Sequence, residues 1–161
     1  FTALRLPRGL GIPFVLEEGA EAYRCLPQLQ ESKTPVIFGP LYMTPAGYRA
    51  STPEVRRARL NTPQQLSDAG IVFALCAQEL RDEDGLIRQA ALAARYGLAR
   101  EAALRAITST PAALLGLGGK VGVLKADAAA DVVVWSGDPL AATSRVLLVL
   151  IDGQIVLDER R

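Results

Sequence analysis

Two adjacent carboxylates, Glu17 and Glu18, stand directly behind the short apolar run 12–16. Carboxylates suit hard cations, so the pair could ligate a metal. Negative charge is equally at home at the start of a helix, beside the positive end of its dipole, and that second role is the one expected here. A second stretch, Cys76-Ala77-Gln78, follows the apolar run 71–75, with Glu79 and Asp82 just beyond. The sequence contains no histidine, so no imidazole ligand can come from this chain. Gly116-Leu117-Gly118-Gly119-Lys120 superficially suggests a phosphate loop. Leu114 and Val121 stand where its first glycine and its hydroxyl belong, which leaves a flexible connection between domains as the better account. Arg49, Arg56, Arg57 and Arg59 cluster with only Tyr48 as an interleaved aromatic, the pattern of a solvated helix face and not of a nucleic-acid surface. Cys25 and Cys76 are too few for a disulfide scaffold and are expected as two buried, reduced thiols. Trp135, the single tryptophan, is expected in a core or between domains.

The elements that must position these residues are written in apolar runs and helix punctuation. The runs 12–16, 35–39 and 71–75 are continuously apolar instead of alternating, as strands covered on both faces require. Between them, 18–30 has helical spacing (Ala22, Leu26, Leu29) and is interrupted by Pro27, where a kink or an early end is expected. Thr62-Pro63-Gln64-Gln65 reads as a capping box with proline in the first turn, ended at Gly70. Thr52-Pro53 and Thr110-Pro111 repeat that start. Helices over 85–96, stopped at Gly97, and over 99–107 should be the two longest late ones. Strand and helix thus alternate, an α/β layout with parallel strands. After Gly116–Gly119 the pattern becomes β-rich, with strands predicted at 121–124, 131–135, 145–151 and 154–157. Asp152-Gly153 between the last two is a strong hairpin turn. The connection 41–60 is long enough to suggest a lid or an interface element.

With 161 residues, half of them apolar, the chain is large enough for a real core, yet short of the roughly 250 residues of a complete (β/α)8 barrel. A net charge of +1 argues against nucleic acid or a charged membrane surface as partner. No stretch approaches the ~20 apolar residues of a membrane span. The start at Phe1, without Met or a signal pattern, suggests a truncated or processed end, and a cytoplasmic location is expected.

The order of motifs through 97–140 resembles the C-terminal signature of the amidohydrolase superfamily, most closely the imidazolonepropionase-like amidohydrolases. The matching residues are Thr108-Ser109-Thr110-Pro111-Ala112, Gly122-Val123-Leu124, Ala130-Asp131 with the strand Val132-Val133-Val134-Trp135, and Gly137-Asp138-Pro139. Thr110 stands where asparagine is usual, and both residues cap helices well. Upstream, Gly19-Ala20-Glu21-Ala22-Tyr23, Pro35-Val36-Ile37-Phe38-Gly39-Pro40 and Leu66-Ser67-Asp68-Ala69-Gly70-Ile71 also look like this subgroup.

The resemblance implies metal-dependent hydrolases of amide or cyclic-amide C–N bonds, built as a TIM barrel beside a small β-sandwich. Residues 1–117 would be the last three strands of the (β/α)8 barrel with their helices, and 118–161 the C-terminal strands of the sandwich. Such barrels carry their sites at the C-terminal strand ends. Glu17, Glu18, Tyr42, Cys76 and Gln78 would then face the site. The family's divalent, zinc-like metal depends on a His-x-His pair that would lie upstream of Phe1, so no metal ligand is expected from this chain. Its Asp after the eighth strand falls on Gln78, which carries no charge and cannot take a proton from metal-bound water. A shifted alignment would put Glu79 or Asp82 there instead. Asp131 and Asp138 fall in the β tail and are expected to be turn and strand-edge residues. Three parallel strands cannot close a barrel, so a missing N-terminal half, a partner chain or an oligomer is expected, with a small-molecule substrate if the protein is active. The alternative is a non-catalytic scaffold or binding subunit of the same fold.

Overall fold

The apolar runs do become parallel strands in the computed structural model, which describes residues 2–41, 59–77 and 85–160. The chain divides into two compact units, Phe1–Ile107 and Thr108–Arg161.

In the first unit, β1 (Leu16–Glu17), β2 (Val36–Phe38) and β3 (Phe73–Leu75) form a parallel sheet in the order β1-β2-β3. Its register sets Leu16 beside Val36 and Val36 beside Phe73. Helices α1 (Thr2–Leu10), α2 (Leu26–Ser32), α3 (Thr62–Asp68), α4 (Leu86–Arg95) and α5 (Arg100–Arg105) alternate with the strands. The core gathers Leu29, Val36, Phe38, Leu66, Phe73 and Leu75 with the small residues Ala90, Ala93 and Ala103. All three residues of β3 are buried, which is why its run carries no polar alternation. The far side of β3 is tied down by Leu75 N–H donating to the carbonyl of Ala106 at 2.9 Å. β1 is shorter than its apolar run because Pro13 lacks a donor and Ile12 and Val15 are exposed at the sheet edge.

Three expectations about helix ends are corrected. The helix expected over 18–30 is a 3-10 turn at Ala22–Arg24 followed by α2, and Pro27 lies in the first turn of α2. Proline lacks the N–H that would be orphaned there, so it starts the helix and does not break it. The capping box at Thr62 does not form. Asn61 is the cap position, and the Thr62 hydroxyl is buried without a hydrogen-bond partner among the described residues. Burial of Thr62, fully enclosed in the core, has taken its side chain away from the helix end. Likewise the helix expected to start at Thr110 begins at Ser109. The Thr52-Pro53 start lies outside the described residues.

The second unit opens with α6 (Ser109–Leu114) and continues into β4 (Val132–Trp135), β5 (Val146–Ile151) and β6 (Gln154–Asp158), an antiparallel sheet in that order. The strand predicted at 121–124 is absent, with only an isolated bridge from Gly118 to Val121. A side-chain carbon at Gly122 would fall 2.6 Å from the Thr108 carbonyl oxygen, at a φ of +72° that a strand cannot use. The signature glycine therefore lets this connection lie against the start of α6. Asp152 and Gly153 take φ of 49° and 75°, the two positive values a two-residue hairpin turn demands. Trp135 is half-buried and is not among the core residues, and both cysteines are likewise half-buried, with no disulfide.

Candidate functional site

Parallel strands send their C-terminal ends to one edge of the sheet. Glu17 is the last residue of β1 and lies level with Ile37, which lies level with Ala74. Glu18 follows at φ 57° and is exposed, as is Glu17. No helix begins at Glu18, so the dipole role expected for the pair is not the one it has; the turn Gly19–Glu21 intervenes before the 3-10 segment. Cys76 follows β3, and its N–H donates to the Phe38 carbonyl at 3.0 Å. Glu17, Glu18 and Cys76 thus share one end of the sheet. Glu17 and Cys76 belong to strands two apart, about 10 Å at the usual spacing.

Gly39 connects these ends. Its φ is +126°, and a side-chain carbon there would sit 2.7 Å from the Cys76 carbonyl oxygen and 3.5 Å from Cys76 Sγ. The exits of β2 and β3 can lie this close only because residue 39 has no side chain. Pro40 follows through a cis peptide bond, and Leu41 is buried.

A residue that sequence reasoning passed over holds that exit. Gln89, on α4, is 2 % exposed, and its carboxamide makes two bonds to one backbone residue. Leu41 N–H donates to Gln89 Oε1 at 2.6 Å, and Gln89 Nε2 donates to the Leu41 carbonyl at 3.2 Å. The side chain does for Leu41 what a neighbouring strand would do. The available signal was Gln89 lying four residues before Ala93 on the buried stripe of α4, a polar residue where an apolar one is expected.

Tyr42 and Gln78, the two other site-facing candidates, lie outside the described residues, together with Glu79, Asp82, Arg49, Arg56 and Arg57. Arg59 lays its guanidinium 4.3 Å from the centre of the Tyr23 ring. The glycine-rich stretch 116–119 makes a turn, with Lys120 N–H donating to the Leu117 carbonyl at 2.9 Å, and leads into no helix. Among the described residues no three His, Cys, Asp or Glu side chains come together as a metal would require, so Glu17, Glu18 and Cys76 do not by themselves fit one. Nor is any helix among them long and apolar enough to cross a membrane.

The signature carboxylates of the tail have structural partners. Asp131 Oδ1 accepts from the Asp152 N–H at 2.8 Å and so fastens the hairpin turn to the start of β4. Asp138 Oδ1 accepts from the Leu140 N–H at 2.9 Å, a local turn that seats the buried Leu140.

Comparison with known proteins agrees with this architecture. The sequence pattern of the amidohydrolase family matches residues 77–157. The amidohydrolase tasK of Hapsidospora irregularis is 40% identical over 74 residues, 46% of this chain and 8% of that protein. The crystal structure of an amidohydrolase from Thermotoga maritima MSB8 superposes with a TM-score of 0.86 at 37% identity, over 98% of this chain and 40% of that one. A prolidase complexed with N-methylphosphonate-L-proline shares the fold at 21% identity, with a TM-score of 0.74 over 96% of this chain and 42% of the other. The chain therefore spans well under half the length of these relatives. The hairpin fastened by Asp131 and the Gly122 contact fall within the stretch the family pattern matches, just over half of this sequence, and the chain belongs to the amidohydrolase family.

Proposed function

We propose that this chain is the C-terminal portion of a metal-dependent hydrolase of amide or cyclic-amide C–N bonds. β1, β2 and β3 would be the last three strands of its (β/α)8 barrel, and β4, β5 and β6 the C-terminal strands of its β-sandwich. The observation that carries the reading is the common C-terminal edge of the parallel sheet, where Glu17, Glu18 and Cys76 all lie and where barrels of this kind hold their sites. The covered length supports the remainder: about two fifths of the Thermotoga maritima relative is present.

A divalent metal would polarise the scissile carbonyl and lower the pKa of a water. This chain has no histidine, so on this reading the imidazole ligands come from the rest of the polypeptide or a partner chain. The part left to this chain is to hold the strand ends apart at a fixed spacing and to line the site with Glu17, Glu18, Tyr42, Cys76 and Gln78. Two measurements on the full-length polypeptide test the reading together. Elemental analysis should find zinc or manganese near one equivalent per chain, and N-acetyl-amino acids, Xaa-Pro dipeptides or a hydantoin should be hydrolysed. Neither metal nor turnover would leave the second reading, a non-catalytic amidohydrolase-like scaffold, which Gln78 at the family's Asp position favours.

A further inference from the structure

We propose that Gln89 is a positioning residue for the reaction face, acting through the main chain of Leu41. The inference rests on the hydrolase reading above, because it concerns the strand ends where that reading puts the chemistry.

A buried carboxamide is costly unless every donor and acceptor is used, and few buried polar side chains are found here: Thr34, Thr62 and Gln89 among the described residues. Gln89 stands out among them because it spans 48 residues of sequence to reach a backbone that no strand pairs. The place it reaches is specific. Leu41 is two residues past Gly39, whose lack of a side chain admits Cys76, and Cys76 N–H is bonded to Phe38. Four points therefore fix the exits of β2 and β3: the Phe38–Cys76 bond, the Gly39 contact and the two Gln89 bonds. A core that needed only filling would be served by leucine or methionine at 89. A two-bond amide instead fixes both the height and the rotation of the Leu41 peptide, and positioning errors near 1 Å can cost a hydrolase about a hundredfold.

Gln89→Glu separates positioning from packing. The protonated acid has the same shape and the same pair of groups, its carbonyl accepting from Leu41 N–H and its hydroxyl donating to the Leu41 carbonyl. The carboxylate has no donor and turns a charge toward that carbonyl. Burial raises the carboxyl above its ordinary value of about 4.3, which brings the change into an assayable range.

The experiment uses the full-length polypeptide, with N-acetyl-amino acids, Xaa-Pro dipeptides and a hydantoin as substrates, between about pH 5 and 8. The kcat of Gln89→Glu relative to wild type should fall at least about tenfold with rising pH, with KM within about twofold, while circular dichroism shows folded protein throughout. A flat ratio in folded protein would overturn the positioning role and leave the hydrolase reading untouched. Silence of the wild type itself on every substrate would overturn both. Should Gln89→Glu not fold, Gln89→Met carries the test. A kcat at least tenfold down at unchanged KM supports the role, and an unchanged kcat rejects it.

Discussion

At Gly39 the absence of a single carbon sets the distance between two strand exits. Gly39→Ala would place that carbon 2.7 Å from the Cys76 carbonyl oxygen at a φ of +126°, and a backbone oxygen cannot swing aside as a side chain could. The expected cost is about 2–3 kcal/mol, read as a lower urea midpoint at unchanged slope. Asp158 makes a prediction of another kind. Arg160 donates from Nε to Asp158 Oδ1 at 2.8 Å and from Nη2 to Oδ2 at 2.7 Å, and its backbone N–H adds a third bond. These bonds hold the carboxyl down, from the ordinary 3.8 to about 2, the side-chain bonds contributing most. A depressed carboxyl stabilises the fold above its ordinary pKa, and that contribution is lost as the pH falls from about 4 to 2. The pair is solvent-exposed, so its worth in stability is small. Its NMR titration midpoint should nonetheless lie near 2 and return toward 3.8 in Arg160→Ala.

At the scale of elements, the β tail turns on a carboxylate. Asp131 reaches across the sheet to the Asp152 N–H, and Gly153 N–H donates to the Ala130 carbonyl at 3.0 Å. Asp131→Ala should therefore cost about 1 kcal/mol, and Asp131→Asn, which keeps an acceptor, less. The fluorescence of Trp135, which stands in β4, reports that unfolding directly. Elements of this kind were legible in the sequence where a local rule has no competitor. The runs 35–39 and 71–75 had to be buried strands and Asp-Gly had to be a hairpin, whereas the run 12–16 gave only Leu16 to a short edge strand. Legibility failed where tertiary burial outbid a local preference, as at Thr62, whose hydroxyl was taken into the core and away from the helix end. It failed again at 121–124, where valine and leucine read as a strand while Gly122 was there to pass close beneath Thr108. The candidate site was legible only as strand ends. Glu17, Glu18 and Cys76 follow their runs directly, whereas the pairing of Gln89 with Leu41 spans 48 residues and no local pattern announces it.

At the scale of the molecule, the surface left apolar is a physical statement about what the chain does alone. An antiparallel sheet ordinarily buries one face and wets the other. In β6, Leu157 lies opposite Val149 and Ile155 opposite Leu150, adjacent residues of β5 that point to opposite faces, yet both Leu157 and Ile155 are exposed, as is Val156 at the bulge between them. On β4, Val133 is exposed as well, and it shares a face with Leu157 because both lie opposite Val149 on β5. Leu124, the last residue of the signature Gly-Val-Leu, is 85% exposed, and Leu115 is 75% exposed. Water penalises such surface at about 25 cal/mol per Å², so the 161-residue chain expressed by itself should associate. Sedimentation velocity at tens of micromolar should show species heavier than the 17.2 kDa monomer. Pairing Val133→Lys with Leu157→Lys puts two charges on one face and should move that distribution toward monomer, with the far-ultraviolet circular dichroism unchanged. A wild-type chain that sediments as a folded monomer would mean that these faces need no cover, and with that the case for a missing portion resting on them would fail.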